Sequence, residues 1–348
     1  MTQLRPGELD VVLERPPERR RTALSALRGK RLPVLVTASL LVAMFVAGCF
    51  RYQYDNFLSV QVVLNLFIDN AYLIVAAVGA TFVILTGGID LSIGSIIGFT
   101  TMLTAWLITK EHWPTPLVMI IALAAGAAGG ALMGAVIHYF EIQPFIVTLA
   151  GLFLFRGLCL VINKESIALN DPMMTKIAET HIPMPGDSHL SLGAVTAVVL
   201  LLIAMYVLHL TRFGRQVYAL GGSEQSALLM GLPVARTKIG VYTISGFCSA
   251  LAGLLFVLYT QAGDPLHGLG NELDAIAAVV IGGTLLSGGS GYVLGSLLGV
   301  LVLGLVRTII SFEGTLSPWW ARIFVGVLLL VFILLQRLFG ARVSKEPA

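Results

Sequence analysis

What most constrains this chain is the recurrence of nearly uncharged apolar runs close to the length that crosses a bilayer, where a helix needs about 20 such residues. They occupy 32–50, 57–86, 91–109, 117–140, 145–163, 191–210, 239–261, 275–286, 292–312 and 321–338. Only 12% of the 348 residues are charged and 57% are hydrophobic. An average soluble domain carries about twice that charged fraction, so these residues cannot clothe a water-facing surface of this size. Disorder is excluded by the same hydrophobicity. A net charge of +3 gives no electrostatic case for nucleic acid. The expected fold is an all-α polytopic membrane protein with about ten transmembrane helices, and the lipid bilayer is its first partner.

Charge sets the expected topology. Residues 1–31 hold eight of the 22 basic residues, with Arg19, Arg20, Arg21, Arg28, Lys30 and Arg31 ahead of the first apolar run. This reads as a basic cytoplasmic tail rather than a cleaved signal peptide, which would be shorter and end in small residues. The loop 211–238 is also basic, as is the C-terminal end with Arg337, Arg342 and Lys345, whereas 164–190 has two lysines against four acids. The positive-inside rule then places 1–31, 211–238 and 339–348 in the cytoplasm and 164–190 outside, around a transmembrane domain 32–338. Both termini on one side require an even number of spans.

The irregular places carry more information than the regular ones. The run 57–86 would be about 45 Å long as one helix, too long for one crossing and too short for two; its middle holds Asn65, Asp69 and Asn70. Two further breaks fall at 87–92, Gly-Gly-Ile-Asp-Leu-Ser, and at 281–291, a glycine-rich stretch. Glycine and polar residues inside apolar text mark discontinuous helices whose freed backbone groups must face protein or a watery path. Gly87-Gly88 followed by LSIGSIIG, and Gly282-Gly283 followed by YVLGSLLG, suggest that 57–163 and 236–338 are related halves.

Intramembrane charges are costly and mark either a partner or an aqueous path. Asp69, Asp90 and Arg156 are of this kind. One reading lines a substrate pathway with Asn65, Asp69, Asn70, Asp90, Ser92 and Arg156. The other has Asp69-Asn70 and Asp90 with Ser92 capping the helices that follow, and Arg156 paired with a buried acid. Glu272 and Asp274, next to Asn271, read as an acidic helix start or as the outer mouth of the path. Gly126, Gly129, Gly130 and Gly134 form a small-residue face suited to helix packing. In 211–238, Ser223 is a good N-cap, Glu224 suits a first turn, and Gly231 and Pro233 stop a short helix. Its apolar Ala227, Leu228 and Met230 could enter a groove on another protein, or rest on lipid headgroups.

Several chemistries lack their residues. Cys49, Cys159 and Cys248 lie in apolar runs without CxxC spacing, and the histidines make no HxxxH pair, so neither disulfide framework nor metal site is expected. There is no phosphate-binding GxxxxGK[ST], and no HExxH, GxSxG or selectivity-filter text. Leu286-Ser287-Gly288-Gly289 imitates a nucleotide-cassette signature but sits in apolar text without a phosphate loop. No catalytic residues are expected.

Three blocks together, VILTGGIDLSIGS (83–95), RFGRQVYALGGSEQSALLMG (212–231) and LDAIAAVVIGGTLLSGG (273–289), resemble the monosaccharide, ribose-type family of ABC importer permeases, over about 40–340. YTQAGDPLHGLGNELDAIA (259–277) and GTLSPWWARI (314–323) are similar to the galactofuranose-importing branch. The resemblance implies a permease subunit in a bacterial inner membrane, working by alternating access. It also implies an ABC ATPase carrying ATP and Mg, a second, similar but non-identical permease chain, and a periplasmic sugar-binding protein, with no cofactor on this chain. Ser223, Glu224, Ala227, Leu228, Met230 and Gly231 would form the coupling helix seated in the ATPase. The long basic tail exceeds the family's usual short one; attraction to anionic lipid is sufficient to account for it. The alternative is a proton-coupled secondary sugar carrier with Asp69 or Asp90 titrating.

Overall fold

The computed structural model describes residues 23–344 apart from 55, 186, 187 and 318. Most of the basic tail 1–31 and the end of the 339–348 tail therefore lie outside the described residues. The chain divides into units Met1–Leu32 and Pro33–Ala348, and apart from the start of α1 everything below concerns the second.

The helices are α1 Ala23–Arg51, α2 Val60–Ile68, α3 Ala71–Leu85, α4 Ile93–Thr109, α5 Thr115–Tyr139, α6 Pro144–Ile162, α7 Pro172–Glu179, α8 Leu192–Leu210, α9 Arg212–Gly222, α10 Glu224–Leu229, α11 Val234–Thr260, α12 Asn271–Ile281, α13 Val293–Glu313 and α14 Trp319–Ser344. Each of the ten apolar runs contains a helix, although 57–59, 91–92 and 282–286 lie outside it. Among the described residues seven helices are long and apolar enough to cross a membrane, and α2 with α3, bent by 53°, adds an eighth where the pair is counted as one span. α4 with 17 residues and α12 with 11 are shorter than the ~20-residue crossing length. The fold is all-α and polytopic, with discontinuous segments where the glycines and polar pairs stand.

Burial follows composition. α3 is apolar on every side, and Leu73 through Leu85 are all buried, as a helix without a polar stripe must be. It is surrounded by α8, α11, α12 and α13. α5 and α11 approach closely because Gly126 and Gly130 lie against Gly246 and the Tyr242 carbonyl, while Gly129 makes room for the Phe155 ring; the glycine face serves packing.

Two local expectations are corrected. The run 275–286 becomes α12 over Asn271–Ile281, starting earlier because Gly270, with φ of 85°, opens the helix, and ending at the Gly282-Gly283 stop. The loop 164–190 also contains structure. Ile167–Ala168 (β1) pairs antiparallel with Ala262–Gly263 (β4), and His181–Met184 (β2) with Ser188–Ser191 (β3).

Candidate functional site

The two glycine breaks have the same local geometry. At the first, Gly87 has φ of +80° and the Gly88 N–H donates to the Val83 carbonyl at 3.1 Å. At the second, Gly283 has φ of +91° and the Thr284 N–H donates to Val279 at 3.2 Å. Each is a left-handed residue followed by a bond reaching back five residues, the Schellman stop that favours glycine. The backbone thus matches Gly87 to Gly283, one residue away from the sequence pairing of Gly87 with Gly282. Freed carbonyls are satisfied by side chains from other helices, as apolar surroundings require. Ile89 accepts from the Thr148 hydroxyl at 3.1 Å, Val280 from the Gln336 amide at 3.0 Å, and Ile281 from Thr37.

Asp90 lies fully inside the first break. Its Oδ1 accepts from the Ser92 N–H at 2.9 Å and hydroxyl at 2.6 Å, and its Oδ2 from the Ser245 hydroxyl at 2.6 Å. The carboxylate ties the start of α4 to α11, and protein groups occupy both oxygens.

The bend at Asp69-Asn70 differs from the expected cap. Asn70 sits at the N-cap of α3 without a side-chain cap bond, and Asp69 ends α2. The Asn70 amide donates back to the Leu66 carbonyl at 2.9 Å. The bend aims that side chain at the freed carbonyls of α2 instead of the N–H groups of α3. Asn65 accepts from the Gln61 amide at 2.7 Å.

The start of α12 is a charged junction. Glu272 and Asp274, two residues apart on a helix, point to different sides. Asp274 Oδ2 accepts from Arg307 of α13 at 2.6 Å. Glu272 lies against Gly94 of α4. Arg156 of α6 spans the same glycine face, beside Gly98, and donates to the carbonyls of Pro265 at 2.5 Å and His267 at 2.9 Å. Arg156 thus hydrogen-bonds to backbone carbonyls of the segment before α12, and among the described residues it forms no ion pair with an acid. Glu272 Oε2, Arg156 Nε and His267 Nδ1 are buried without protein hydrogen-bond partners. Of the sequence-derived pathway residues, Arg156, Glu272 and Asp274 gather here; Asn65 lies on α2, Asp69 with Asn70 stands at the α2–α3 bend, and Asp90 with Ser92 at the first glycine break. Sequence reading missed Arg307 and His267. An arginine within the run 292–312 was a signal for the first.

The basic loop 211–238 contains two helices. Thr211 caps α9, its hydroxyl accepting from Gly214 N–H at 3.2 Å, and Ser223 caps α10 by accepting from Ser226 N–H at 3.2 Å. Glu224 pairs with Lys238 at 2.6 Å, and Gly231 turns the chain with φ of +72°. Ala227 is buried with Leu220 and Val234, while Leu228, Leu229 and Met230 are 54%, 90% and 65% exposed. The outward apolar face is thus Leu228, Leu229 and Met230. Ala227 belongs to the inner face because α10 must itself rest on α9 and the start of α11.

Among the described residues no cluster of His, Cys, Asp and Glu could hold a metal ion. Residues 62–333 match the sequence family described as "Branched-chain amino acid transport system / permease component". The inner membrane ABC transporter permease protein YjfF of Escherichia coli (strain K12) is 46% identical over 88% of this chain and 92% of its own length. The fructose import permease protein FruG of Bifidobacterium longum (strain NCC 2705) is 40% identical over 89% and 92%. The ribose import permease protein RbsC of Escherichia coli (strain K12) is 38% identical over 81% and 87%. No solved structure matches the chain. These relatives are named as transport permeases and not enzymes. With a match across most of its membrane-spanning length, the chain belongs to this family of ABC importer permeases, among members named for monosaccharide import.

Proposed function

We propose that this chain is one permease subunit of an ATP-driven importer that carries a monosaccharide, galactofuranose being the substrate expected, across a bacterial inner membrane with both termini in the cytoplasm. The observation that carries the reading is α10, a capped short helix with Leu228, Leu229 and Met230 facing outward inside the basic loop 211–238. An apolar triplet on a short helix suits insertion into a groove of an ATPase subunit. A second, similar permease chain and an external sugar-binding protein complete the assembly.

The sugar is neutral, so its route needs hydroxyl-bonding groups, and the start of α12 offers them. Arg156, His267 and Glu272 each hold an unpartnered buried polar atom; together they supply donors and an acceptor. Transport proceeds by alternating access, a two-state equilibrium that ATP binding on the partner chains biases. A proton-coupled carrier working through Asp90 would have to titrate a carboxylate whose two oxygens are held by Ser92 and Ser245.

The test is sugar uptake into proteoliposomes holding this chain with and without its ATPase, second permease and binding protein. The reading expects ATP-dependent galactofuranose accumulation only with all present. Uptake by this chain alone, collapsed by dissipating a proton gradient, overturns it. ATP-driven uptake of ribose or fructose but not galactofuranose overturns the substrate alone.

A further inference from the structure

The end of α9 touches both discontinuous-helix breaks at once. The Gly289 N–H donates to the Leu85 carbonyl at 2.9 Å, joining the loop after α12 to the end of α3. Gly221 lies on that same pair of atoms: a Cβ there would meet the Leu85 carbonyl and the Gly289 nitrogen. A methyl on Gly288 would lie 2.7 Å from the Gly87 nitrogen and 3.0 Å from the Gly221 carbonyl. Backbone therefore meets backbone three ways, with no side chain between to absorb movement. One turn earlier on α9 the Tyr218 hydroxyl donates to the Gly291 carbonyl at 2.8 Å. Burial, and then Tyr292, push the Tyr218 phenol up to about 12, so it remains a donor across the working pH range.

From these contacts we infer that Tyr218 and Gly221 are positioning residues of the transport cycle, forming a rigid joint that carries displacement of α10 into both glycine breaks together. This rests on the permease reading above. α10 follows α9 after the single residue Ser223, so a force on Leu228–Met230 reaches Gly221 through about two helical turns. Close-packed backbone transmits such a shift because packed contacts are bistable and not continuously deformable. α3 and α12, ending at the two breaks, are buried among the other helices; one push at their ends would move both halves in step.

The test uses the full complex in proteoliposomes, measuring sugar accumulated and ATP hydrolysed in the same vesicles. Tyr218→Phe removes one donor and leaves the ring. It is expected to lower sugar delivered per ATP roughly two- to tenfold, the range of one net hydrogen bond, with the ATPase rate held. Gly221→Ala is expected to abolish most uptake while ATP hydrolysis continues and the ATPase still co-purifies. If uptake and hydrolysis fall in proportion in both variants, the residues are merely structural and the joint is overturned. Unchanged uptake in Tyr218→Phe and Gly221→Ala overturns it too. A wild-type complex that accumulates sugar without ATP removes the permease reading itself, and the joint with it, a result distinct from either variant outcome.

Discussion

Asp274 of α12 and Arg307 of α13 face each other at 2.6 Å, joining the two helices at the charged junction where Arg156 meets the segment before α12. Side chains 23% and 34% exposed keep part of their hydration. Arg307→Ala is expected to cost about 1–3 kcal/mol, less than a fully buried pair whose partner is removed. Asp274→Ala should cost a similar amount, and the double variant less than the sum. Thermal unfolding of the purified protein in detergent checks this, and strictly additive losses would contradict the pairing.

Gly130 and Gly157 make a contrasting pair. A Cβ on Gly130 meets the Tyr242 carbonyl of α11, backbone that cannot step aside, whereas Gly157 has nothing within 4 Å. Gly130→Ala should destabilise by ~1–3 kcal/mol through overpacking. Gly157→Ala, inside α6, should be neutral or stabilise by up to ~1 kcal/mol through helix propensity. Equal melting shifts in the two variants would count against the α5–α11 contact.

The outward face of α10 predicts a separation of binding from folding. Leu228→Asp, Leu229→Asp and Met230→Asp combined should leave thermal stability within about 0.5 kcal/mol per site, as for exposed positions, yet reduce capture of the ATPase at least about tenfold. Ala227→Asp buries a charge among Leu220 and Val234 and should destabilise the protein first. Intact ATP-driven uptake in the triple variant would remove α10 as the coupling element.

Asp90 separates the importer from the proton-coupled carrier. Asp69→Asn with Asp90→Asn should leave uptake driven by ATP and indifferent to a proton gradient. Asp90→Ala should lose stability by ~1–3 kcal/mol, since it strands the Ser92 and Ser245 donors. A proton-driven flux present in the wild type and absent in the Asn pair would restore the carrier.

Much was legible from local text. The apolar runs, the Ser223 cap and the Gly231 turn depend on neighbours within a few residues, and the structure bears them out apart from the bounds of the run 275–286. The polar pair Asp69-Asn70 marked a real bend, yet the residue's bond ran backward to Leu66 because the 53° angle set its direction. Arg156 was legible as an unusual charge, but not its carbonyl partners at Pro265 and His267. Those lie more than a hundred residues away, and nothing in local text specifies them.

By itself, then, the sequence determined a membrane-embedded helical chain, its discontinuous segments and its family, because bilayer thickness, glycine geometry and charge cost act on short stretches of residues. Only the tertiary structure decided which groups meet: Asp274 with Arg307, Ala227 inward and Leu229 outward, Gly87 in register with Gly283, and Gly221 on the Leu85–Gly289 bond. Those choices follow from how helices distant in sequence pack, where a one-residue shift or one added methyl changes which atoms touch.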